Sequence, residues 1–543
     1  MEYDLIVIGG GPAGYLAAER AGRAGLSVLL AEKKALGGVC LNEGCIPTKT
    51  MLYSAKLYDG AVHGEKYGIT VGNAELNHET VLNRKNKVVR TLVAGIKAQL
   101  RNSNVTVTEG VAEILGKSEA PGAAEATGAA EALGVAGASG AAEALGAAGT
   151  SEAAEALGAA GETETVGKTK NTACRDTMEV HDNSSACFSV RVGENIFKGR
   201  HILLTTGSVP VIPNIPGIEE GIANETVLTN SGILSLKEVP KELAVIGGGA
   251  IGLELASYFN SAGSKVTVIE MLDHIAGPTD REIAGILMKN YAKKGIDFRL
   301  NARVTEIRLY KSVGVQNVDA VHTEVNKVTA DKATVVCETA GQSFETNADR
   351  ILLSVGRRPA TEGLGLENVG VAADRGRIIT DRYGRTNVPG IYVAGDVNGI
   401  SMLAHTAYRE AEVCVNNMLG REDSIRYDAI PSVIYTNPEV AGVGETEETA
   451  AEKGIDFDAA KLPMGYSGRY AAENEGGDGI CKVLVEKNSR RIIGVHMIGN
   501  YSSEIIYGAA MMIERKMTPE DVKKLVFPHP TVSEIIREVI YRL

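Results

Sequence analysis

The chain has 543 residues and a formal net charge of −12 at pH 7, a length that outruns one hydrophobic core and sets an expectation of three or four domains. The acidic balance, with no Lys/Arg cluster along the sequence, argues against nucleic acid, and no uncharged apolar run reaches membrane-spanning length before Glu254 ends the stretch at 243–253. The first eight residues carry no basic n-region and read as a strand, so no signal peptide is expected and a cytoplasmic location is.

The first element is a strand over residues 5–8 that runs into Gly9-Gly10-Gly11-Pro12-Ala13-Gly14, a helical stretch, and a strand ending in Glu32. The same pattern returns at 243–246, with Gly247-Gly248-Gly249-Ala250-Ile251-Gly252 and a strand ending in Glu270; first glycine and acid are 23 positions apart in both. Each reads as a βαβ unit that binds a dinucleotide. Gly9 and Gly247 permit the tight turn, Gly11 and Gly249 let a pyrophosphate approach, and Gly14 and Gly252 let helix pack on strand. The helix N-terminus supports the negative charge.

Directly after the first unit stands Gly37-Gly38-Val39-Cys40-Leu41-Asn42-Glu43-Gly44-Cys45-Ile46-Pro47-Thr48-Lys49. Two thiols five positions apart can switch between dithiol and disulfide, a two-electron change matched to flavin or nicotinamide chemistry. The pair therefore reads as a redox relay, against the blander reading of a stabilising disulfide or two unrelated core cysteines. The remaining cysteines (174, 187, 337, 414 and 481) are scattered, which suits a reducing compartment.

Residues 118–167 are of another kind: Ala-Ala-Glu-Ala-Leu-Gly recurs, with eight glutamates and no Lys or Arg. Glycine interrupts its helix-favouring pieces, and it holds few large apolar residues for a core. The flanking stretches 105–111 and 188–192 read as neighbouring strands of an antiparallel meander, so the insertion (about 118–185) is expected in a hairpin loop, where extra length costs little closure entropy. It reads as a mobile appendage, with a docking tether as the alternative. Buried-type strands follow, ending at Thr206-Gly207, at Gly356 and at Gly395-Asp396. Asp396, at a strand's carboxyl end, is placed to bind sugar hydroxyls, the alternative being a helix N-cap. From Pro431 alternating strands and then helices indicate an α+β domain.

Near the C-terminus, Phe527-Pro528-His529-Pro530-Thr531-Val532-Ser533-Glu534 stiffens the backbone around His529 with two prolines. Thr531 is expected to cap the next helix and to put Glu534 in its first turn. A histidine held by a carboxylate has a fixed tautomer and raised basicity, and thiol chemistry needs such a base.

These motifs, in this order, resemble the pyridine nucleotide–disulfide oxidoreductase family, and within it the dihydrolipoamide-oxidising branch. The resemblance covers the chain apart from the insertion. It implies an α/β fold with two Rossmann-like dinucleotide-binding domains, for FAD (1–222) and NAD (223–355). A central domain (356–430) would complete the FAD site, and a C-terminal α+β domain (431–543) would mediate dimerisation. It implies Glu32 on the adenosine ribose, Asp396 near the ribitol, and Ala404 with its backbone facing the isoalloxazine. Thr206, Gly207 and Gly356 would line the cofactor sites, and Lys49–Glu254 would be an ion pair beside the flavin. Cys45 would be the thiolate next to the flavin and Cys40 the thiol that meets the substrate. His529, oriented by Glu534 and supplied by the other subunit of a homodimer, would be the base. The implied reaction is oxidation of a lipoyl-bearing protein's dihydrolipoamide for a 2-oxo acid, acetoin or glycine cleavage complex. Phe527 stands where the family often has a first histidine, and Ala360 where asparagine is usual. Glu270, followed by Met271 to His274 without an arginine, favours NAD over NADP. An NADPH-driven disulfide reductase and a scaffold that has lost turnover are the alternatives. No metal is expected.

Overall fold

The computed structural model describes residues 2–119, 186–311 and 330–543; most of the Glu-rich insertion lies outside them. Strand β1 (Glu2–Ile8) is followed by helix α1 (Pro12–Arg23) and β2 (Val28–Glu32). Then come α2 (Gly38–Glu43), α3 (Cys45–Val62), α4 (His78–Asn102) and β3 (Val105–Glu109). Next are β4 (Ala112–Glu119), β5 (Ala186–Val192) and β6 (Asn195–Leu204). They form one sheet in the order β3-β2-β1-β6-β5-β4, with Ile391–Val393 added beside β6. β1 pairs parallel with β2 and β6, and Leu5, Ile6 and Val7 are fully buried because helices and a second antiparallel layer cover both faces.

The meander expected from residues 105–111 and 188–192 needs correction. β3 pairs parallel with β2 at one edge of the sheet, and the antiparallel partner of β5 is β4, with Glu119 opposite Ala186. A strand's partner depends on long-range register that alternation alone does not encode. The insertion still leaves and re-enters through a hairpin pair.

A second sheet of five parallel strands runs Asp297–Arg299, Lys265–Ile269, Glu242–Ile246, Arg350–Leu353, Val227–Leu228, with helix Ala250–Ser261 after its glycine turn. The C-terminal unit is a five-stranded antiparallel sheet packed on helices Ser502–Glu514 and Glu534–Ile540. The fold class read from sequence, two Rossmann-like α/β units and a C-terminal α+β unit, is the one observed. Met51 and Ala55 of α3 share a core with Leu253 of the second unit and Ile434 of the third, so apolar packing holds the three units together at the redox helix.

Among the described residues no helix is long and apolar enough to cross a membrane, and no His/Cys/Asp/Glu group is arranged to hold a metal ion.

Candidate active site

Both glycine turns are built alike. A Cβ on Gly14 would sit 1.8 Å from the Gly9 carbonyl oxygen, and one on Gly252 2.3 Å from that of Gly247. Gly9 and Gly247 adopt φ of +110° and +102°, each pressed on the next strand's end at Thr205 and Ser354. Each acid reaches back to its turn: the Gly10 N–H donates to Glu32 Oε2 at 2.6 Å, and the Gly248 N–H to Glu270 Oε2 at 2.6 Å. In both cradles the middle glycine leaves space where a phosphate would approach. A Cβ on Gly11 would meet only Gly38 Cα at 3.9 Å, and one on Gly249 would meet nothing within 4 Å. The middle glycines therefore face open space beside a helix N-terminus, which suits a pyrophosphate.

Gly37 and Gly38, both with positive φ, turn the chain into α2, and Gly44 separates it from α3. Cys40 thus lies within α2, while Cys45 is the first residue of an 18-residue helix. A thiolate is stabilised at that end of a helix dipole. Both cysteines are free thiols and half-buried. Cys40 donates a hydrogen bond to Cys45, which lowers the Cys45 pKa against the effect of burial; the charge of Lys49 adds to the lowering. The same bond, with burial, pushes Cys40 up. The two shifts run in opposite directions, so Cys45 is the thiol that ionises first.

Lys49, one turn into α3, donates to Glu254 at 2.7 and 3.0 Å. Glu254 also accepts the Tyr435 N–H at 2.9 Å, and the Lys49 ammonium lies 4.4 Å from the Tyr435 ring centre. One ion pair therefore ties the redox helix to the second and third units.

Asp396 opens a short 3-10 turn after strand Ile391–Val393 and accepts from Ser208 Oγ at 2.5 Å; Gly395, not Asp396, is the residue that caps the turn. Thr206 Oγ1 donates to the Ala360 carbonyl at 2.7 Å, and the Ala360 N–H to that of Gly207 at 3.0 Å. The strap over the turn is made by the Ala360 backbone, so the departure from asparagine leaves it intact. Ala404 opens the 15-residue helix Ala404–Met418, and Gly356 follows strand Arg350–Leu353 with φ of +119°.

Several residues of the site carry no motif signature. Buried Glu410 accepts from the Gly395 N–H at 2.6 Å, Asn398 Nδ2 at 2.8 Å and the Tyr427 hydroxyl at 2.7 Å, and so holds the Asp396 turn. Arg357 donates to the Ser208 hydroxyl and carbonyl, each at 2.7 Å. The Tyr15 and Tyr408 hydroxyls pair at 2.5 Å within electrostatic reach of both cysteines. The Gly-Arg-Arg-Pro motif contains Arg357, but nothing in the linear sequence singles out Glu410 or pairs the tyrosines.

His529 stands on the C-terminal unit with 76% of its side chain exposed, and its Nδ1 lies 3.0 and 3.1 Å from the two oxygens of Glu534. The Thr531 N–H donates to Glu534 at 2.9 Å and, as the largest cause, holds that carboxyl below its usual range. An ionised carboxylate only accepts, so in the neutral imidazole the His529 proton sits on Nδ1 and Nε2 is left as the acceptor. The capping role expected of Thr531 is not found. Its hydroxyl donates to the Pro528 carbonyl, Ser533 precedes the helix without a side-chain cap, and Glu534 is the first helical residue. Two prolines bend the approach so that Thr531 presents its N–H to the carboxylate. The structure thus gathers Cys40, Cys45, Lys49 and Glu254 in one place and His529 with Glu534 in another. Among the described residues, no hydrogen bond or ion pair joins the two groups within one chain.

Family models of the pyridine nucleotide-disulphide oxidoreductases match residues 3–156 and 141–411, and their dimerisation domain matches 430–540. The chain is 33% identical to mitochondrial dihydrolipoyl dehydrogenase of Pisum sativum over 99% of its own length and 90% of the relative's. It is 34% identical to dihydrolipoyl dehydrogenase 3 of Pseudomonas putida, over 99% and 97%. Among solved structures it is similar to the Cu(II) complex of the HOCl-induced flavoprotein disulfide reductase RclA of Escherichia coli. That match has a TM-score of 0.74 and 25% identity, and it covers 100% of both chains.

Proposed function

The chain belongs to the pyridine nucleotide-disulphide oxidoreductase family, and on that footing we propose that it oxidises protein-bound dihydrolipoamide and passes the electrons to NAD. The observation that carries this reading is the polarised thiol pair beside the first glycine cradle, with Cys45 at a helix N-terminus and Lys49 next to it.

In the oxidised enzyme Cys40 and Cys45 share a disulfide. A substrate thiolate attacks Cys40 Sγ; the Cys40–Cys45 bond breaks as the mixed disulfide forms, and Cys45 leaves as the thiolate its surroundings favour. The second substrate thiol then attacks the substrate sulfur joined to Cys40. The mixed disulfide breaks, the lipoamide ring closes and Cys40 departs. Two electrons remain on the cysteine pair, and the two substrate protons end on Cys40 and on Nε2 of His529. FAD, when bound, would supply a two-electron acceptor for the cysteine pair, and NAD a hydride acceptor for the flavin.

We assign the first cradle, with Glu32, Thr206, Gly207, Asp396 and Ala404, to FAD, and the second, with Glu270 and Gly356, to NAD. These residues lie within the units 1–222, 356–430 and 223–355. Glu270 at the strand end would bond ribose hydroxyls and repel a 2′-phosphate. His529 makes its side-chain hydrogen bonds to Glu534 and none to Cys40 of its own chain; a second copy would supply it to the thiol pair, through a homodimer formed by 431–543. Exposed Tyr507, Met511, Leu525 and Val526 on that unit offer apolar surface for the contact. The enzyme would serve a 2-oxo acid, acetoin or glycine cleavage complex.

Steady-state rates with dihydrolipoamide and either NAD or NADP, and with NADPH and glutathione disulfide, test the reading. Turnover with dihydrolipoamide and NAD is expected. A colourless protein that takes up no flavin, or one active only with NADPH and glutathione disulfide, overturns it.

A further inference from the structure

Contrary to the expectation of no Lys/Arg cluster, Arg84, Lys85, Lys87 and Arg90 fall within seven residues, and folding extends that group along one helix. Helix α4 holds six Lys/Arg against one glutamate in a chain whose net charge is −12. Lys85 turns inward and donates to the Leu234 carbonyl at 2.5 Å, and Arg84 donates to that of Thr50 at 3.0 Å. The other four, Lys87, Arg90, Lys97 and Arg101, are exposed. At about 100° per residue they fall within roughly 80° of the helix circumference, opposite the face that buries Val81, Ile96 and Leu100. With a rise of about 1.5 Å per residue, the stripe is about 21 Å long. Among the described residues, no carboxylate forms an ion pair with any of the four.

Helix α4 packs against both α2 and α3, which carry Cys40 and Cys45. A folded domain that carries a dithiol to Cys40 also comes within reach of this helix. We propose that the exposed face of α4 is the docking surface for an acidic lipoyl-bearing carrier domain, an inference that rests on the function proposed above. The chain as a whole repels an acidic partner. A local cationic stripe, screened only beyond about 8 Å at physiological salt, restores attraction at the site where chemistry requires the partner. Two copies of this chain would bring like charge against like charge across a symmetric contact. A lipid surface would call for large apolar side chains beside the cations, whereas Asn83, Asn86 and Ala94 lie there. The chain's own Glu-rich segment, which joins β4 to β5, is the competing acidic occupant.

The test compares the full-length, flavin-loaded protein with a variant carrying Lys87→Gln, Arg90→Gln, Lys97→Gln and Arg101→Gln. Each is assayed with free dihydrolipoamide and with a reduced, lipoylated carrier domain of net negative charge. Glutamine keeps helix propensity, and free dihydrolipoamide reports whether the fold and the chemistry survive. With free dihydrolipoamide, kcat/KM is expected to stay within about two-fold. With the carrier domain at low salt it should fall by about ten-fold or more, the lower end of electrostatic steering, and added salt should bring the wild type down to the variant. Equal activity of both proteins on the carrier domain overturns the docking surface while leaving the function standing. So does a gain of similar size on deletion of residues 118–167 that appears in the wild type and is absent from the four-glutamine variant, which would put the Glu-rich segment on the stripe. A wild type that oxidises neither substrate overturns the function, and the docking surface with it.

Discussion

The two glycine cradles are near copies, and their differences separate a held cofactor from an exchanged one. Besides the shared turns and acids, Thr205 Oγ1 donates to the Ile8 and Gly9 carbonyls as Ser354 Oγ does to those of Ile246 and Gly247. What surrounds them differs. The first is roofed by Gly37 and Gly38, with a Cβ on Gly38 coming within 2.7 Å of Gly11, and Ala13 is buried. In the second, Ile251 takes the place of Ala13 and is 37% exposed, with Met271, Leu272 and Val355 also in solvent. Under the proposed function, a closed cradle with thiols beside it retains its flavin, and an open, apolar-lipped one lets a nicotinamide nucleotide come and go. The lesson is that a shared turn sets which ligand class binds, and its neighbours set how long it stays.

The sharpest way to break the asymmetry is to remove the relay that only the first cradle owns. Cys45→Ser should abolish dithiol oxidation and the long-wavelength absorption of the dithiol-reduced protein while leaving flavin bound; a surviving band contradicts the assignment. His529→Gln should slow dithiol oxidation by about 10²- to 10⁴-fold, the usual contribution of a general base, and near-normal turnover removes His529 from the mechanism. A matched pair tests the cradles directly. Gly14→Ala is expected to yield protein without flavin. Gly252→Ala should keep flavin and raise the KM for NAD by about ten-fold or more, since an overpacked contact costs roughly 1–3 kcal/mol. The same phenotype from both would erase the distinction. Lys49→Met is the mildest: it removes a cation that stabilises the Cys45 thiolate and leaves Glu254 without its ion partner. The pH at which that thiolate forms, followed by its absorption, should move upward; no change, or a downward move, places the polarisation of the thiol pair elsewhere.

Local chemistry made much of the site legible. Glycines 9, 11, 14, 247, 249 and 252 announce themselves because only a residue without a Cβ allows these turns and close approaches. The cysteine spacing and the His529-to-Glu534 separation are short enough for the sequence to fix both contacts. Glu410, Arg357 and the Tyr15–Tyr408 pair were hidden because their partners lie on other elements, and the misassigned strand over 105–109 failed for the same reason.

The sequence by itself determined the α/β class, both dinucleotide turns, the thiol pair and the absence of any long apolar span, because each depends on residues a few positions apart. Only the tertiary structure decided that Glu410 holds the Asp396 turn, that β4 rather than β3 pairs with β5, and that four cations align on the exposed face of α4. Such contacts follow from helical winding and long-range register, where residues distant in the chain become neighbours and charges apart in sequence come to act as one surface.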